Sequence, residues 1–353
     1  MNKAFIEKIV ADDIRDGVIL GEAILAGSPE KELFSYCAGH ATLAQDTPMT
    51  LDTVIDGAST TKVVAVVTAL LILHKRGLID FDAPFTNYLP QYEAKLDHVV
   101  TIRQMANHVS GFNDFVRRED GQRLYYAEDG ATMMKNLMRL PPPKPPSAHA
   151  EYACWNYILL ARIIEAITGE RLDDFCMREI FQPLGMDSTS LGKPRADIPP
   201  KRLAQTFGTK QPGEISDYIA YRLFRDGFRT GNAGLFCTAH DYAKLLSCVI
   251  NHGRYGGGQL FDEREFSEIA PDKKDKTDGY RRFGWVVRDK HSCDECFGTS
   301  LLHSGWSGQT IFLDVEKRLY IIVLTPRIGD YERAKQHRFD VINHLFLNLK
   351  SDS

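Results

Sequence analysis

No hydrophobic run in this sequence reaches the roughly 20 residues that a bilayer-spanning helix needs. The longest, Val63 to Leu73, is closed by Lys62 on one side and by His74, Lys75 and Arg76 on the other. It is expected to be a buried core helix. The N-terminal stretch MNKAFIEKIVADDIRDG has no continuous apolar segment and no small-residue cleavage site. It therefore lacks the pattern of a secretory signal. Phe5, Ile6, Ile9, Val10 and Ile14 fall at helical spacing instead. Cysteines that could build a disulfide framework are also missing. The seven present are odd in number and scattered, which suits a reducing cytoplasm. Cys293 and Cys296 form one C-x-x-C, with His291 and His303 nearby, but no second cysteine pair completes a zinc pattern. A solvent-exposed turn is expected there. No Lys/Arg block stands out, and net charge is -4, so neither nucleic acid nor an anionic membrane is an expected partner. No G-x-S-x-G occurs, which argues against an α/β-hydrolase. Internal repeats are absent, and no element of the sequence bears on oligomeric state.

What remains is enough for a large core. The chain has 353 residues, 43% of them apolar and 25% charged, which fits one large or two modest globular domains. Its ends read as sheet and its middle as helix. Gly17 to Ala26 and Lys31 to Gly39 predict two strands joined by a turn at Gly27-Ser28-Pro29. Phe283 to Arg288, Thr299 to Ser304, Gln309 to Asp314 and Leu319 to Thr325 are further β-rich runs. A last helix is predicted over Tyr331 to Leu349. Between these ends, Trp155 to Thr168 and Leu172 to Ile180 carry helical patterns. The prolines at 141–143 and 145–146 predict a stiff extended connector. If the terminal strands share one sheet, residues 1–77 and 247–353 form a sheet region and residues 78–246 an inserted all-helical region. The expected class is α+β, an antiparallel sheet flanked by helices. A small-molecule site is expected in the cleft between the two regions.

Three short elements could carry chemistry. Ser59 and Lys62 stand three apart where an apolar helix begins, so both side chains share the face of its first turn. An amine there can take a hydroxyl proton if its pKa is lowered. Two other S-x-x-K pairs, Ser28/Lys31 and Ser190/Lys193, lie beside loop signals. The bland reading of Ser59 is a helix N-cap with a surface lysine. Tyr152 follows the proline connector and leads into a helix. It is either an ordinary amphipathic tyrosine or a general base whose ionisation Lys62 favours. His303-Ser304-Gly305-Trp306 closes a predicted strand. A glycine there would let a substrate approach the backbone, and nearby N–H groups could form an oxyanion hole with that of Ser59. A turn or a satisfied core histidine explains the same residues.

Taken in order, the three elements resemble the S-x-x-K, Y-x-N and H-x-G/K-T-G motifs of the class C β-lactamase and penicillin-binding-protein (D-alanyl-D-alanine carboxypeptidase) superfamily. Flanking stretches resemble it too: residues 52–58, 108–112, 181–186, 231–236 and 305–308. The resemblance implies the β-lactamase/transpeptidase-like fold and a serine hydrolase working through an acyl-enzyme. Ser59 would be the nucleophile, with Lys62 and Tyr152 shuttling its proton. Cys154, His303, Ser304, Gly305 and Trp306 would line the substrate site, with Ser59 and Trp306 giving the oxyanion N–H groups. By position, the segment 113–138 would line the cleft. Neither a metal nor an organic cofactor is implied; the partner is a small acyl substrate. Two departures bear on substrate. Cys154 stands where the family has Asn, and a thiol is a weak hydrogen-bonding group. His303 replaces Lys, so a permanent positive charge is missing at that position. Both favour a carboxylic ester over a β-lactam or D-amino-acid peptide. A catalytically silent, ligand-binding or scaffold protein is the alternative of another class.

Overall fold

The computed structural model describes residues 3–272 and 279–349. The ends of the chain do meet in one sheet. Its seven strands run in the spatial order Glu32–Gly39, Gly21–Gly27, Leu319–Leu324, Gln309–Asp314, Ser300–Ser304, Trp285–Val286 and Arg281–Arg282. Every described neighbour pair in this sheet is antiparallel, with Ala23 opposite Leu324 and His303 opposite Ile311. The predicted strand over 283–288 is only a short hairpin. Phe283 turns through a positive φ of 44°, which breaks the extended run.

Side chains alternate across the sheet, and each face has its own core. Ile24, Phe312, Ile321 and Val323 pack beneath Ile6 and Val10 of the helix Lys3–Arg15 and Phe339, Ile342 and Leu345 of the helix Tyr331–Asn348. Ala23, Leu25, Ile311, Ile322 and Leu324 face the larger core around the 63–73 run. Burying each large aliphatic side chain there stabilises by about 1.5–3 kcal/mol relative to exposure.

The inserted region is mainly helical but not wholly so. Its strands Leu235–Cys237 and Ser190–Leu191 form a small three-stranded sheet with Ile55–Asp56, which lies outside the inserted region. The line between residues 246 and 247 also falls inside one helix, Ala239–Ile250. The apolar run behaves as expected. The continuous helix Ala58–Lys75 is long and apolar enough to cross a membrane, yet 89% of it is buried within the protein. It starts as a 3-10 turn over Ala58–Thr60, widens to π winding over Lys62–Val67 and ends as α-helix over Thr68–Lys75. The Thr68 hydroxyl donates to the Val63 carbonyl at 3.1 Å, across this wide segment. Such π segments are frequent at functional sites.

One buried charge cluster joins the termini. His337 makes an ion pair with Asp13 at 2.7 Å and faces Glu22 at 3.1 Å. Burial alone would lower the His337 pKa, but Glu22 and Asp13 outweigh it and raise it to about 9. The folded protein therefore holds a proton that the unfolded chain releases near 6.5. This contribution, roughly 3 kcal/mol, is complete below that pH and is lost as pH rises through about 9. Urea midpoints should fall across that alkaline interval in the wild type. His337→Gln should be less stable at neutral pH and lack that fall. An alkaline fall of the same size in the variant would place its origin elsewhere.

Candidate active site

The position of Ser59 is fixed by a strained turn. Ala58 has φ 44°, unusual for a residue with a side chain, and the turn hands Ser59 to the start of the central helix. Asp56 holds it there. Its carboxylate accepts the Ala58 N–H at 3.0 Å, the Ser216 N–H at 2.8 Å and the Ser216 hydroxyl at 2.5 Å. Burial pushes the Asp56 carboxyl up to about 6 despite these donors. Ser59 is half-buried and Lys62 wholly buried, which excludes the surface-lysine reading.

Ser59, Lys62 and Tyr152 converge. The Tyr152 hydroxyl lies 2.7 Å from Ser59 Oγ, and Lys62 Nζ donates to the same oxygen at 3.1 Å. Lys62 Nζ also donates to the Asn232 carbonyl at 2.8 Å and sits 4.9 Å from the centre of the Tyr152 ring. Asn232 is itself anchored, its amide donating to Asp217 at 3.2 Å. Burial disfavours the Lys62 ammonium, yet the charges that Cys154 and Tyr152 take on as they ionise, with that of Asp217, outweigh it and the net direction is upward. The condition under which Lys62 would itself take the Ser59 proton, a lowered pKa, is therefore not met: Lys62 rests as a cation. Burial raises the Tyr152 pKa, and Lys62 opposes that rise.

Tyr152 is oriented by its neighbours. His108 lies under its ring, centroids 4.7 Å apart, and the Ala153 N–H donates to His108 Nδ1 at 3.1 Å. Nδ1 must then be unprotonated, which puts the imidazole proton on Nε2. Burial, reinforced by Arg281, Lys62 and His303, drives the His108 pKa well down, so the ring is neutral. Cys154 opens the helix Cys154–Thr168, its N–H donating to Asp114 at 2.7 Å. Its thiol is 3.8 Å from Lys62 Nζ, and burial pushes its pKa up to about 11. It is thus a neutral thiol beside the Lys62 amine.

The third element closes the site. A Cβ on Gly305 would lie 2.7 Å from the Gly57 carbonyl oxygen and 3.2 Å from Ala58 Cβ. Only a glycine lets the end of the strand Ser300–Ser304 approach the serine turn this closely. The N–H groups of Ser59 and Trp306 have no hydrogen-bond partner among the described residues. His303 is buried, and neither ring nitrogen has a partner among the described residues. Burial, then the charges of Arg281 and Lys62, hold it well below its ordinary pKa. Ser304 does not join them. Strand alternation turns its hydroxyl to the opposite face, 3.0 Å from Thr310, which accepts from Arg338. Trp306 is half-buried, its ring meeting Phe207 edge-on at 5.4 Å.

Of the segment 113–138, Asp114 reaches the site through the Cys154 N–H. Asp114 also pairs with Arg123 at 3.3 Å and accepts from Tyr125 at 3.1 Å. The C-x-x-C is not an exposed turn: Cys296 is buried and Cys293 half-buried, its N–H donating to Asn343 of the C-terminal helix at 2.9 Å. Reading of the sequence missed Asp56, Asp114, Asn232 and Arg281. Asp56 lies in the 52–58 stretch, Asn232 in the 231–236 stretch and Asp114 in the segment 113–138, but none was singled out as a site residue, and Arg281 had no signal at all. Gly231 packs so tightly on the central helix that a Cβ would lie 2.3 Å from Val66.

The family model described as Beta-lactamase matches residues 6–343. A candidate D-alanyl-D-alanine carboxypeptidase of Salmonella typhimurium is 26% identical over 319 residues, covering 82% of this chain and 73% of that protein. Among solved structures, a class C β-lactamase from Rhodobacter sphaeroides superposes with a TM-score of 0.73 at 18% identity, covering 97% of this chain and 99% of its own. A family VIII carboxylesterase does so with a TM-score of 0.68 at 20% identity, covering 96% of each chain. These likenesses show the β-lactamase/transpeptidase-like fold.

Proposed function

The chain belongs to the β-lactamase family, and we propose that it is a serine hydrolase of carboxylic esters. One observation carries the catalytic reading: Ser59 Oγ lies 2.7 Å from the Tyr152 hydroxyl and 3.1 Å from Lys62 Nζ. Ser59 Oγ attacks the ester carbonyl carbon while its proton passes to Tyr152, reacting as phenolate. The Lys62 ammonium stabilises that phenolate. The carbonyl oxygen, now negative, is held by the N–H groups of Ser59 and Trp306. Collapse breaks the ester C–O bond, and the leaving alkoxide takes the proton from Tyr152. Water then attacks the acyl-enzyme, giving its proton to Tyr152, and the released Ser59 oxygen recovers it. Lys62 stays charged throughout.

The preference for esters rests on Cys154. A neutral thiol 3.8 Å from Lys62 replaces the amide that would bind an acylamino group. An alkoxide also leaves with less protonation than an amine. A β-lactamase or D-amino-acid peptidase is the second reading, favoured by the likeness to the Salmonella typhimurium protein. The seven free thiols support a reducing, cytoplasmic location.

The test pairs a short-chain p-nitrophenyl ester with a chromogenic cephalosporin on purified full chain. The wild type should favour the ester, and Cys154→Asn should raise cephalosporin turnover about tenfold. Dominant cephalosporin cleavage by the wild type would make the second reading the right one. Silence on both, in folded protein, would favour a ligand-binding or scaffold role.

A further inference from the structure

We propose that Arg281 is a positioning residue of this site, holding the phenolate form of Tyr152 from the face of its ring. The inference rests on the serine-hydrolase reading above. Arg281 lies in the edge strand Arg281–Arg282, outside the three sequence elements. Its guanidinium is 5.1 Å from the centre of the Tyr152 ring. One nitrogen donates to the Gly284 carbonyl at 2.8 Å, which pins the side chain across its own hairpin. No carboxylate among the described residues forms an ion pair with it. Arg281 is therefore a pinned charge with no ion-pair partner among the described residues, Asp289 acting on it only at longer range.

That charge stands where the third sequence element lacks one. His303 is buried and neutral, so the cation absent from the strand Ser300–Ser304 is supplied by the hairpin at the sheet edge. Tyr152 is thus flanked by two cations, Lys62 at 4.9 Å and Arg281 at 5.1 Å from its ring centre. The other titratable groups around it are His108 beneath its ring, Cys154, Tyr157 and His303. Asp114 lies behind Cys154, and Asp217 behind Asn232. His108 and His303 are neutral, and the Cys154 thiol is protonated below about 11. Burial disfavours the phenolate, Lys62 and the hydrogen bond with Ser59 favour it, and Arg281 adds a second cation on the ring face. A phenol is a useful base near neutral pH only when cations lower the cost of its ionisation.

The experiment measures the rate at which an uncharged fluorophosphonate labels Ser59, as a function of pH. It compares wild type, Arg281→Gln and Arg281→Lys. An uncharged probe removes any role of Arg281 in binding an anionic substrate. Arg281→Gln should slow labelling at neutral pH by about 10- to 100-fold, with the rising limb of the pH profile moved to higher pH. Arg281→Lys, which keeps the charge, should stay within about threefold of wild type. A thermal melt of each variant separates this from loss of fold, because a merely structural role would not move the pH profile. A labelled, folded Arg281→Gln with an unchanged profile would overturn the proposal and leave the serine-hydrolase reading intact. A wild type that takes no label at any pH would overturn both.

Discussion

Ser59→Ala should lose ester turnover by about a thousandfold or more while keeping its fold. The Ser59 hydroxyl bonds only to Lys62 and Tyr152 within the described chain, and it carries none of the bonds that build its own turn. Asp56 holds Ala58, and Thr60 Oγ1 donates to Gly57 O at 2.9 Å and meets the Tyr242 hydroxyl at 2.7 Å. Those contacts survive the substitution. Melting should therefore shift by no more than about 1 kcal/mol. The measurement is p-nitrophenyl ester hydrolysis beside a melt. Retained turnover in folded Ser59→Ala would place the nucleophile elsewhere.

Tyr152→Phe should lower kcat by about 100- to 10,000-fold with little change in KM, because one proton acceptor is removed and no binding surface is lost. The phenyl ring keeps its packing on His108. Lys62 keeps its bonds to Ser59 and to the Asn232 carbonyl. With Lys62 resting as a cation, the lysine cannot take over as base without first losing its own proton. The sign of the pH dependence follows. Burial raises the Tyr152 pKa, so only a minority is phenolate at neutral pH, and wild-type kcat/KM should climb as pH rises. The variant should have lost that climb. A variant that keeps both rate and climb would assign the base role to Lys62.

The sheet was legible because its strands obey local rules. Gln309–Asp314 and Leu319–Leu324 are runs of β-favouring residues, and turn residues bound them. The hairpin at Arg281–Val286 was read as one strand because Phe283 gives no sign in sequence of its positive φ. The small sheet was missed because strands such as Ser190–Leu191 are too short to show a period. In the site, Ser59, Lys62, Tyr152 and Gly305 were legible because each occupies a motif with fixed spacing. Asp56 and Asn232 lie in stretches that resemble the family, yet they act through a turn and a backbone carbonyl, and Arg281 acts through a ring face, so their roles are not written in any spacing along the chain. The protonation of Lys62, on which its role turns, was left open by the sequence. Spacing shows its distance from Ser59 but not that Cys154, Tyr152 and Asp217 surround it. Ser304 was placed in the site by adjacency, although neighbours in a strand face opposite sides.

The central claim is that Ser59 becomes acylated. The most direct measurement is the mass of full-length protein quenched in acid during turnover of a p-nitrophenyl ester, followed by peptide mapping. The account predicts an increase equal to the acyl group, mapped to the peptide that holds Ser59 and absent from Ser59→Ala. An acyl group mapped instead to Cys154, or turnover with no adduct even under rapid quenching, would contradict it.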